Sequence, residues 1–287
     1  MARFEFNGEE YFIDNRLQVQ LDKKILPELK KKDKDNVFIV DGRERLGKSV
    51  FAMNLGAYAA SQLNSEFNLS NICMNPTEFR TKIEKAQKNQ VVIYDEAHRG
   101  MASSRALTEI NNIMKDLMME MGQMNLFVII VLPTFFLLDK YAALFRSTGL
   151  FHIYENKRRR GFWVYFNRKN KLKLYIKGKK EFNYDCMKYP FFRGRFFDRY
   201  PVDEEGYREK KRKSFKSKPR ISKNEVLIEQ RNVLLCYLHE KRKLSSIKLE
   251  KILKAGDTTL NRRQIQRILA EFKEKPQKAR QDLIKVE

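Results

Sequence analysis

The stretch that decides the fold is "VDGRERLGKSVF", residues 40–51. It holds Gly42, four further residues, and then Gly47, Lys48 and Ser49. It follows the apolar run "NVFIV" and opens "KSVFAMNLGAYAASQL", which has the composition of a buried helix. A glycine-rich turn between a buried strand and a helix lets successive backbone N–H groups surround an anion at the positive end of the helix. The segment therefore predicts a phosphate-binding loop.

The residue types in this loop predict how a nucleoside triphosphate is held. The Lys48 ammonium would reach the β- and γ-phosphate oxygens, and the Ser49 hydroxyl would bind Mg²⁺. The expected nucleotide-binding residues are Gly42, Arg43, Glu44, Arg45, Leu46, Gly47, Lys48, Ser49 and Val50. The alternative, an ordinary basic turn, does not explain the strand before the loop and the helix after it.

A second motif, "VVIYDEAH", places two acids after another apolar strand. Asp95 would hold Mg²⁺ through water, and Glu96 would act as the general base that aligns the attacking water. Adjacent acids at a strand end can also form an exposed turn. That alternative is less compatible with the apolar strand and with the phosphate loop upstream.

Short apolar strands alternate with helical patterns from 36 to 155. Two more buried strands are "NLFVIIVLP" and "GLFHIYEN", and "NPTEFRTKIEKAQK" has helix-start signals in Asn75 and Pro76. Residues 104–121 place apolar side chains at helical spacing. This order predicts an α/β domain whose mainly parallel sheet is flanked by helices on both faces.

The loop, the acidic motif and "NLFVIIVLPT" resemble P-loop ATPases with a RecA-like core and a catalytic Glu. Within that group, residues 36–155 are most similar to the FtsK/HerA-like and zonula-occludens-toxin-like ATPases of viruses and plasmids. Helicases with a "DEAH" box do not fit, because their two RecA-like domains exceed the length between 36 and 155. The resemblance implies a P-loop NTPase fold and an ATP-driven assembly that acts on DNA or on a virion. Thr134 stands where FtsK/HerA-type pumps often carry Gln, and is the candidate γ-phosphate sensor.

Such ATPases usually complete their site with an arginine from a neighbouring subunit, so the resemblance implies a homo-oligomer. Arg146, before the fourth strand, is the first candidate, and Arg99, just after the acidic motif, is the second. For either one, a plain surface arginine is the alternative. The guanine-reading N-K-x-D motif does not occur, which favours ATP.

The net charge of +23 lies entirely in the second part of the chain. Residues 1–156 hold 20 Lys and Arg against 20 Asp and Glu, which leaves the excess of 23 to residues 157–287. A neutral front and a basic back predict two tasks on one chain, the second being contact with a polyanion, most simply DNA.

The segments around the core predict four further regions. Residues 1–35 form a hairpin at Asn7-Gly8 and a charged connector, and 156–206 hold an appended hairpin that turns at 167–170. The aromatic and arginine-rich 189–201 would either stack on single strands or pack against the ATPase core. Residues 207–223 are a basic linker, whose Lys210, Lys211, Arg212 and Lys213 would bind DNA phosphates.

Residues 224–287 predict a small helical domain of the helix-turn-helix type. A helix ends near Gly256, and the next, capped by Thr258 or Thr259, buries Ile265, Leu269 and Phe272. Its other face would read base edges through Asn261, Arg262, Arg263, Gln264 and Arg267. The alternative is an oligomerisation or partner-binding module with a solvated charged face.

The three cysteines are far apart and form no metal-site spacing, which favours a reducing cytoplasm, or the host cytoplasm if the protein is viral. The longest apolar run, 126–138, is too short for a bilayer and contains Pro133, so no membrane partner is expected.

Three functions remain open from the sequence. The first is an ATP-hydrolysing DNA motor or remodeller for packaging, transfer or replication. The second is a nucleotide-gated DNA-binding switch or loader. The third is a virion-assembly or export ATPase whose basic tail meets a protein. An intact Glu96 favours hydrolysis over binding alone, and the position of the charge favours DNA over protein.

Overall fold

A computed structural model describes residues 1–31, 34–95, 111, 125–184, 191–216, 223–255 and 260–273. The chain forms two compact units, Met1–Ser217 and Lys218–Glu287. The first unit contains a two-stranded hairpin and a seven-stranded sheet, and the second is helical.

The seven-stranded sheet supports the candidate site. Its strand order is β4-β5-β6-β3-β7-β8-β9, and the five strands from β4 to β7 in that order are mutually parallel, whereas β8 and β9 are antiparallel additions. The strands are β3 (Asn36–Gly42), β4 (Ile72–Cys73), β5 (Val91–Tyr94), β6 (Phe127–Val131), β7 (Gly149–Asn156), β8 (Arg159–Phe166) and β9 (Phe192–Arg195).

The central strand β3 is buried along its whole length, because helices cover both faces of the sheet. Phe38 and Val40 join the apolar core on one face, and Val37 and Ile39 join the core on the other. This alternation confirms the expectation of an α/β domain with a mostly parallel sheet flanked by helices.

The helices of the first unit follow local signals in the sequence. Asn75 caps α4 by accepting a hydrogen bond from the Glu78 N–H, and Pro76 opens it, as expected. The helices are α1 (Asn15–Gln20), α2 (Leu26–Lys31), α3 (Lys48–Leu63), α4 (Pro76–Glu84), α5 (Arg168–Glu181) and α6 (Glu204–Lys216). Shorter helical turns cover Leu21–Ile25, Leu69–Asn71, Phe135–Leu137 and Tyr141–Arg146.

The appended hairpin lies earlier in the chain than expected. The expected turn at 167–170 is the start of α5: Asn167 caps this helix, and its buried residues are Lys171, Leu174, Tyr175 and Gly178. The real hairpin joins β7 to β8 through Lys157 and Arg158, both with positive φ. The prediction was wrong because alternating Lys and Leu in 171–174 imitates a strand, whereas the buried positions follow the helical period.

The N-terminal hairpin is confirmed. Strands β1 (Ala2–Phe6) and β2 (Glu9–Ile13) pair across Asn7 and Gly8, and the Phe4 ring packs edge-on against Tyr58 of α3. The rest of the charged connector is largely helical, in α1, the turn after it, and α2.

The second unit contains three described helices: α7 (Lys223–Lys241), α8 (Ser246–Ala255) and α9 (Arg262–Lys273). Ile265, Leu269 and Phe272 are buried, as expected, together with Leu235 and Leu249 from the other two helices. No helix among the described residues is both long and apolar enough to cross a membrane.

Candidate functional site

The loop at 42–49 connects the carboxyl end of β3 to the amino end of α3. Gly42 adopts φ 139° and Gly47 adopts φ 89°, which L side chains rarely tolerate. A Cβ at Gly42 would also collide with the Ile153 carbonyl oxygen. Because the N-cap residue Gly47 has no side chain, it cannot cap the first-turn N–H groups of α3, which suits an anion at this position.

Loop side chains divide by exposure. Arg43, Glu44 and Arg45 are exposed, whereas Leu46 and Val50 are buried in the core. Leu46 and Val50 can therefore contribute to a ligand only through their backbone groups.

The Lys48 side chain folds back onto the loop. Its ammonium donates hydrogen bonds to the carbonyl oxygens of Gly42 at 2.7 Å and Arg43 at 2.8 Å. Burial lowers the pKa of Lys48, while the nearby carboxylates of Asp41 and Asp95 act in the opposite direction. The ammonium is thus held within the curve of the loop, where a phosphate oxygen would replace the carbonyl acceptors.

The predicted metal ligands lie together. The Ser49 hydroxyl donates to the Asp95 carboxylate at 3.1 Å, although 46 residues separate them. Asp95 is only 2% exposed, at the carboxyl end of β5, and its N–H donates to the Cys73 carbonyl. The two side chains meet because β5, β6 and β3 are neighbouring parallel strands whose carboxyl ends share one sheet edge.

This pair of oxygen ligands fits Mg²⁺, which prefers hard oxygen donors and usually keeps several waters and substrate phosphates in its shell. Within the described ranges, no cluster of three or more His, Cys, Asp or Glu side chains offers a rival metal site.

Helix α6 brings two side chains to Asp95 that the sequence did not indicate. The Tyr207 hydroxyl donates a hydrogen bond to the carboxylate, and the Lys211 ammonium lies 3.5 Å from it. Burial, followed by the charge of Asp95 and the hydrogen bond to it, raises the pKa of Tyr207. Hydroxyl and ammonium groups therefore stabilise the buried carboxylate in this structure.

A second buried carboxylate, Asp41, lies immediately before Gly42. One of its oxygens is 2.8 Å from His152 Nδ1, and the other accepts hydrogen bonds from the Phe135 N–H at 2.7 Å and from the Tyr184 hydroxyl. The Tyr184 ring stacks on His152 at 3.7 Å between centroids. An acid ending the apolar run "NVFIVD" is the sequence signal that would have pointed to this network.

Thr134, the expected γ-phosphate sensor, belongs to the same network. It follows β6 at the sheet edge that carries the loop, and its hydroxyl is 2.9 Å from the Tyr184 hydroxyl. Thr134 is therefore near the loop, and its hydroxyl contacts a tyrosine that also binds Asp41.

Of the two expected arginines, the structure describes Arg146. Arg146 ends the helical turn before β7, next to the amino ends of the strands, whereas the loop lies at the carboxyl ends. It is thus remote from the loop of its own chain, and a role in a neighbouring subunit stays a prediction. Glu96 and Arg99 lie outside the described residues.

The basic segment 207–223 does not behave as a linker in its first half. Residues up to Lys216 form α6 within the first unit. The Lys210 ammonium donates to the carbonyl oxygens of Leu69 and Ile72, and Lys211 faces Asp95, so both point into the fold. These two lysines are poorly placed to bind DNA phosphates.

The other two predicted linker contacts, Arg212 and Lys213, are exposed. Lys213 pairs with Glu209 at 2.7 Å, one helical turn earlier. This exposed pair leaves the lysine within reach of solvent.

In the second unit, two expected base-reading residues have a structural task. Asn261 and Gln264 exchange hydrogen bonds, each side chain accepting from the other's backbone N–H, at 3.0 and 2.9 Å. This capping box starts α9, so Asn261 is the cap, whereas the expected caps Thr258 and Thr259 lie outside the described residues. The Arg262, Arg263 and Arg267 side chains are exposed on the same helix.

The chain matches no protein-family model, and a search of curated proteins gives no significant match.

Proposed function

We propose that the protein is an ATPase of the P-loop NTPase class that binds DNA and acts as a DNA motor or remodeller. The carrying observation is the 3.1 Å contact between Ser49 and Asp95 beside the Lys48 ammonium. It unites two motifs that the sequence assigned to one Mg²⁺–nucleotide site. The glycine conformations of the loop and the parallel sheet behind it support the same assignment.

The residues of the proposed nucleotide site have separate roles. Lys48 and the loop N–H groups bind the triphosphate, and Ser49 and Asp95 hold Mg²⁺, which when bound neutralises phosphate charge. Glu96, the residue after Asp95, aligns the attacking water and accepts its proton. Thr134 is the proposed sensor of the terminal phosphate.

DNA is the proposed partner because the net positive charge lies in the second part of the chain and α9 exposes three arginines. Exposed arginines on a short helix of a helical unit can contact phosphates or guanine edges. A homo-oligomer is proposed on the resemblance alone, through an arginine supplied in trans.

The test measures ATP hydrolysis by the purified full chain without DNA, with single-stranded DNA and with duplex DNA. We expect Mg²⁺-dependent hydrolysis that rises with DNA and is lost in Lys48→Ala and Glu96→Gln. Ser49→Thr should retain it and Ser49→Ala should not, while Ser61→Ala, on the same helix, serves as the control. Hydrolysis that survives Lys48→Ala, or no nucleotide binding by the wild type, would refute the ATPase.

A nucleotide-gated DNA-binding switch is the second candidate. The contact of Tyr207 and Lys211 with Asp95 favours it, because these groups compete with a metal for the same carboxylate. A switch predicts slow turnover and a DNA affinity that differs between the nucleotide-free and ATP-bound protein. A motor predicts fast, DNA-stimulated turnover, so the two rates distinguish them.

A further inference from the structure

Strands β7, β8 and β9 carry an aromatic and basic surface that is not part of the loop at 42–49. In the strand register, Tyr154 lies opposite Phe162, and Phe162 lies opposite Arg195, so the three side chains share one sheet face. The next pair along the strands, Val164 and Arg193, points the same way. Val164 packs against the core that contains Val37 and Ile39. We therefore call Tyr154, Phe162, Arg193 and Arg195 the outer β7–β9 face.

Two rings and one guanidinium group on this face lie in contact with one another. The Tyr154 and Phe162 ring centroids are 5.7 Å apart, and the Arg195 guanidinium lies 5.0 Å from the Phe162 centroid. Both rings are half-buried, whereas Arg193 and Arg195 are exposed. An arginine stacked on a half-exposed ring offers a flat surface on which a further planar group can lie.

The part of the chain that the structure describes supplies no ion-pair partner for the arginines of this face. Among residues with described positions, no carboxylate forms an ion pair with Arg193 or Arg195. The hairpin tip next to it adds four exposed basic residues in a row, Lys157, Arg158, Arg159 and Arg160. Exposed arginines beside a basic tip create a positive potential that attracts a polyanion.

The outer β7–β9 face is connected to the loop at 42–49 through neighbouring strands. Ile153 of β7 pairs with Gly42 of β3, so the β7–β8 tip extends from the same sheet edge as the loop. Phe196, directly after β9, lies against the loop: a Cβ on Gly47 would be 3.1 Å from its ring. The two surfaces are thus joined through one short segment of chain.

We propose that the outer β7–β9 face binds single-stranded DNA, with bases stacked on Tyr154 and Phe162 and phosphates bound by Arg193, Arg195 and the tip. The choice of DNA rests on the proposed function. Half-exposed rings favour a single strand, because its unpaired bases can stack on them. A duplex keeps its bases stacked inside, so the rings would gain nothing from it.

The experiment titrates full-length, nucleotide-free protein into a fluorescently labelled oligo(dT) of about 15 nucleotides, a length suited to one binding face, and follows anisotropy at several salt concentrations. The double variant R193Q/R195Q removes two phosphate contacts. Its log–log salt slope should therefore be shallower by about 1.4, at about 0.7 per contact for a single strand. The control R168Q/K169Q removes two exposed charges from the start of α5, at the other sheet edge, and should leave the slope unchanged.

A second variant tests stacking without removing charge. Phe162→Leu keeps apolar bulk but offers no ring, and should weaken oligo(dT) binding by about 5- to 100-fold. An unchanged melting temperature shows that the sheet is intact. For Arg193 and Arg195, whose side chains are exposed, loss of folding is not expected.

Three outcomes would overturn the proposal: R193Q/R195Q that binds like the wild type or no worse than R168Q/K169Q, an equal loss of duplex and single-strand affinity in R193Q/R195Q, or tighter binding to oligo(U) than to oligo(dT). Failure of the proposed function would look different. If the protein has no ATPase activity but its oligo(dT) binding falls in R193Q/R195Q, the proposed function fails and DNA binding by the outer β7–β9 face is supported. If the protein is a DNA-stimulated ATPase but R193Q/R195Q binds oligo(dT) normally, the proposed function is supported and DNA binding by this face is refuted.

Discussion

The hydroxyl of Tyr207 donates a hydrogen bond to Asp95, the same buried carboxylate that accepts from Ser49. Because Asp95 is the proposed metal ligand, any metal that enters has to share or replace this donor. The contact links the helix that ends the first unit to the proposed chemical site.

We predict that Tyr207→Phe lowers the Mg²⁺ concentration needed for half-maximal nucleotide binding or hydrolysis by about tenfold, since a hydrogen bond to a charged group is worth about 1.5–3 kcal/mol. A Mg²⁺ titration at fixed ATP measures this. Tyr200→Phe is the control, because Tyr200 packs against Tyr207 at 5.8 Å between ring centroids. An unchanged or higher Mg²⁺ requirement in Tyr207→Phe contradicts the competition.

A second prediction concerns the network around Asp41. Tyr184→Phe removes a donor to this fully buried carboxylate and a partner of Thr134. We expect the free energy of unfolding to fall by about 1–3 kcal/mol, the cost of leaving a buried acceptor underpaired. Chemical denaturation measures it, with Tyr154→Phe as the control. A loss below that of the control would show that the network does not stabilise the fold.

Lys171 gives a pH-dependent prediction. Its side chain is fully buried, and its ammonium donates to the Ser147 carbonyl at 2.5 Å. Burial, with a smaller effect of Arg168, lowers its pKa from 10.5 to about 7. Between these values the unfolded chain binds the proton more tightly than the folded chain, so the stability contributed by this residue rises with pH.

Replacing it by methionine should therefore change how stability depends on pH. The free energy of unfolding of Lys171→Met, relative to the wild type, should be most favourable at pH 7 and below, and should decline toward pH 10. The change across that window is at most about 5 kcal/mol, from about 1.36 kcal/mol per pKa unit. Lys173→Met, exposed on the same helix, should follow the wild type. Parallel curves for Lys171→Met and the wild type would show that the lysine is charged in the fold.

In the second unit, we expect one substitution to change stability and another to change DNA binding. Asn261→Ala removes the cap of α9 and should destabilise this unit by about 1 kcal/mol, whereas Asn261→Asp should retain the cap. Arg263→Ala should leave the melting temperature unchanged and weaken DNA binding. Thermal melts and anisotropy titrations check both. Equal effects of Asn261→Ala and Asn261→Asp would rule out the capping role.

The sequence predicted the core of the site because the signals are local. Gly42 and the acid after β5 mark strand ends, and Gly47 marks the start of a helix. Parallel strands bring their carboxyl ends to one edge of the sheet. The predicted hairpin at 167–170 was wrong because the alternation of Lys and Leu in this segment has the period of a strand. In the helix that forms there, Lys171 is buried at a position that an apolar residue would normally occupy.

The contact of Tyr207 with Asp95 could not be predicted, since it joins residues 112 positions apart and depends on how α6 packs. The basic composition around Lys210 and Lys211 instead suggested a solvated linker. Both lysines point into the fold because carbonyl and carboxylate oxygens lie beside the helix. The count of charged residues therefore predicted a positively charged surface but not which residues of the fold form it.

Helix α6 belongs to the first unit, which ends at Ser217. A shortened protein that stops before Glu204 would expose the acid at the end of β5 to solvent and would differ from the intact chain in metal response for that reason alone. Fragments intended to isolate the part of the helical unit in DNA contact should therefore be cut after residue 217, so that any altered ATP hydrolysis reports on the missing helical unit.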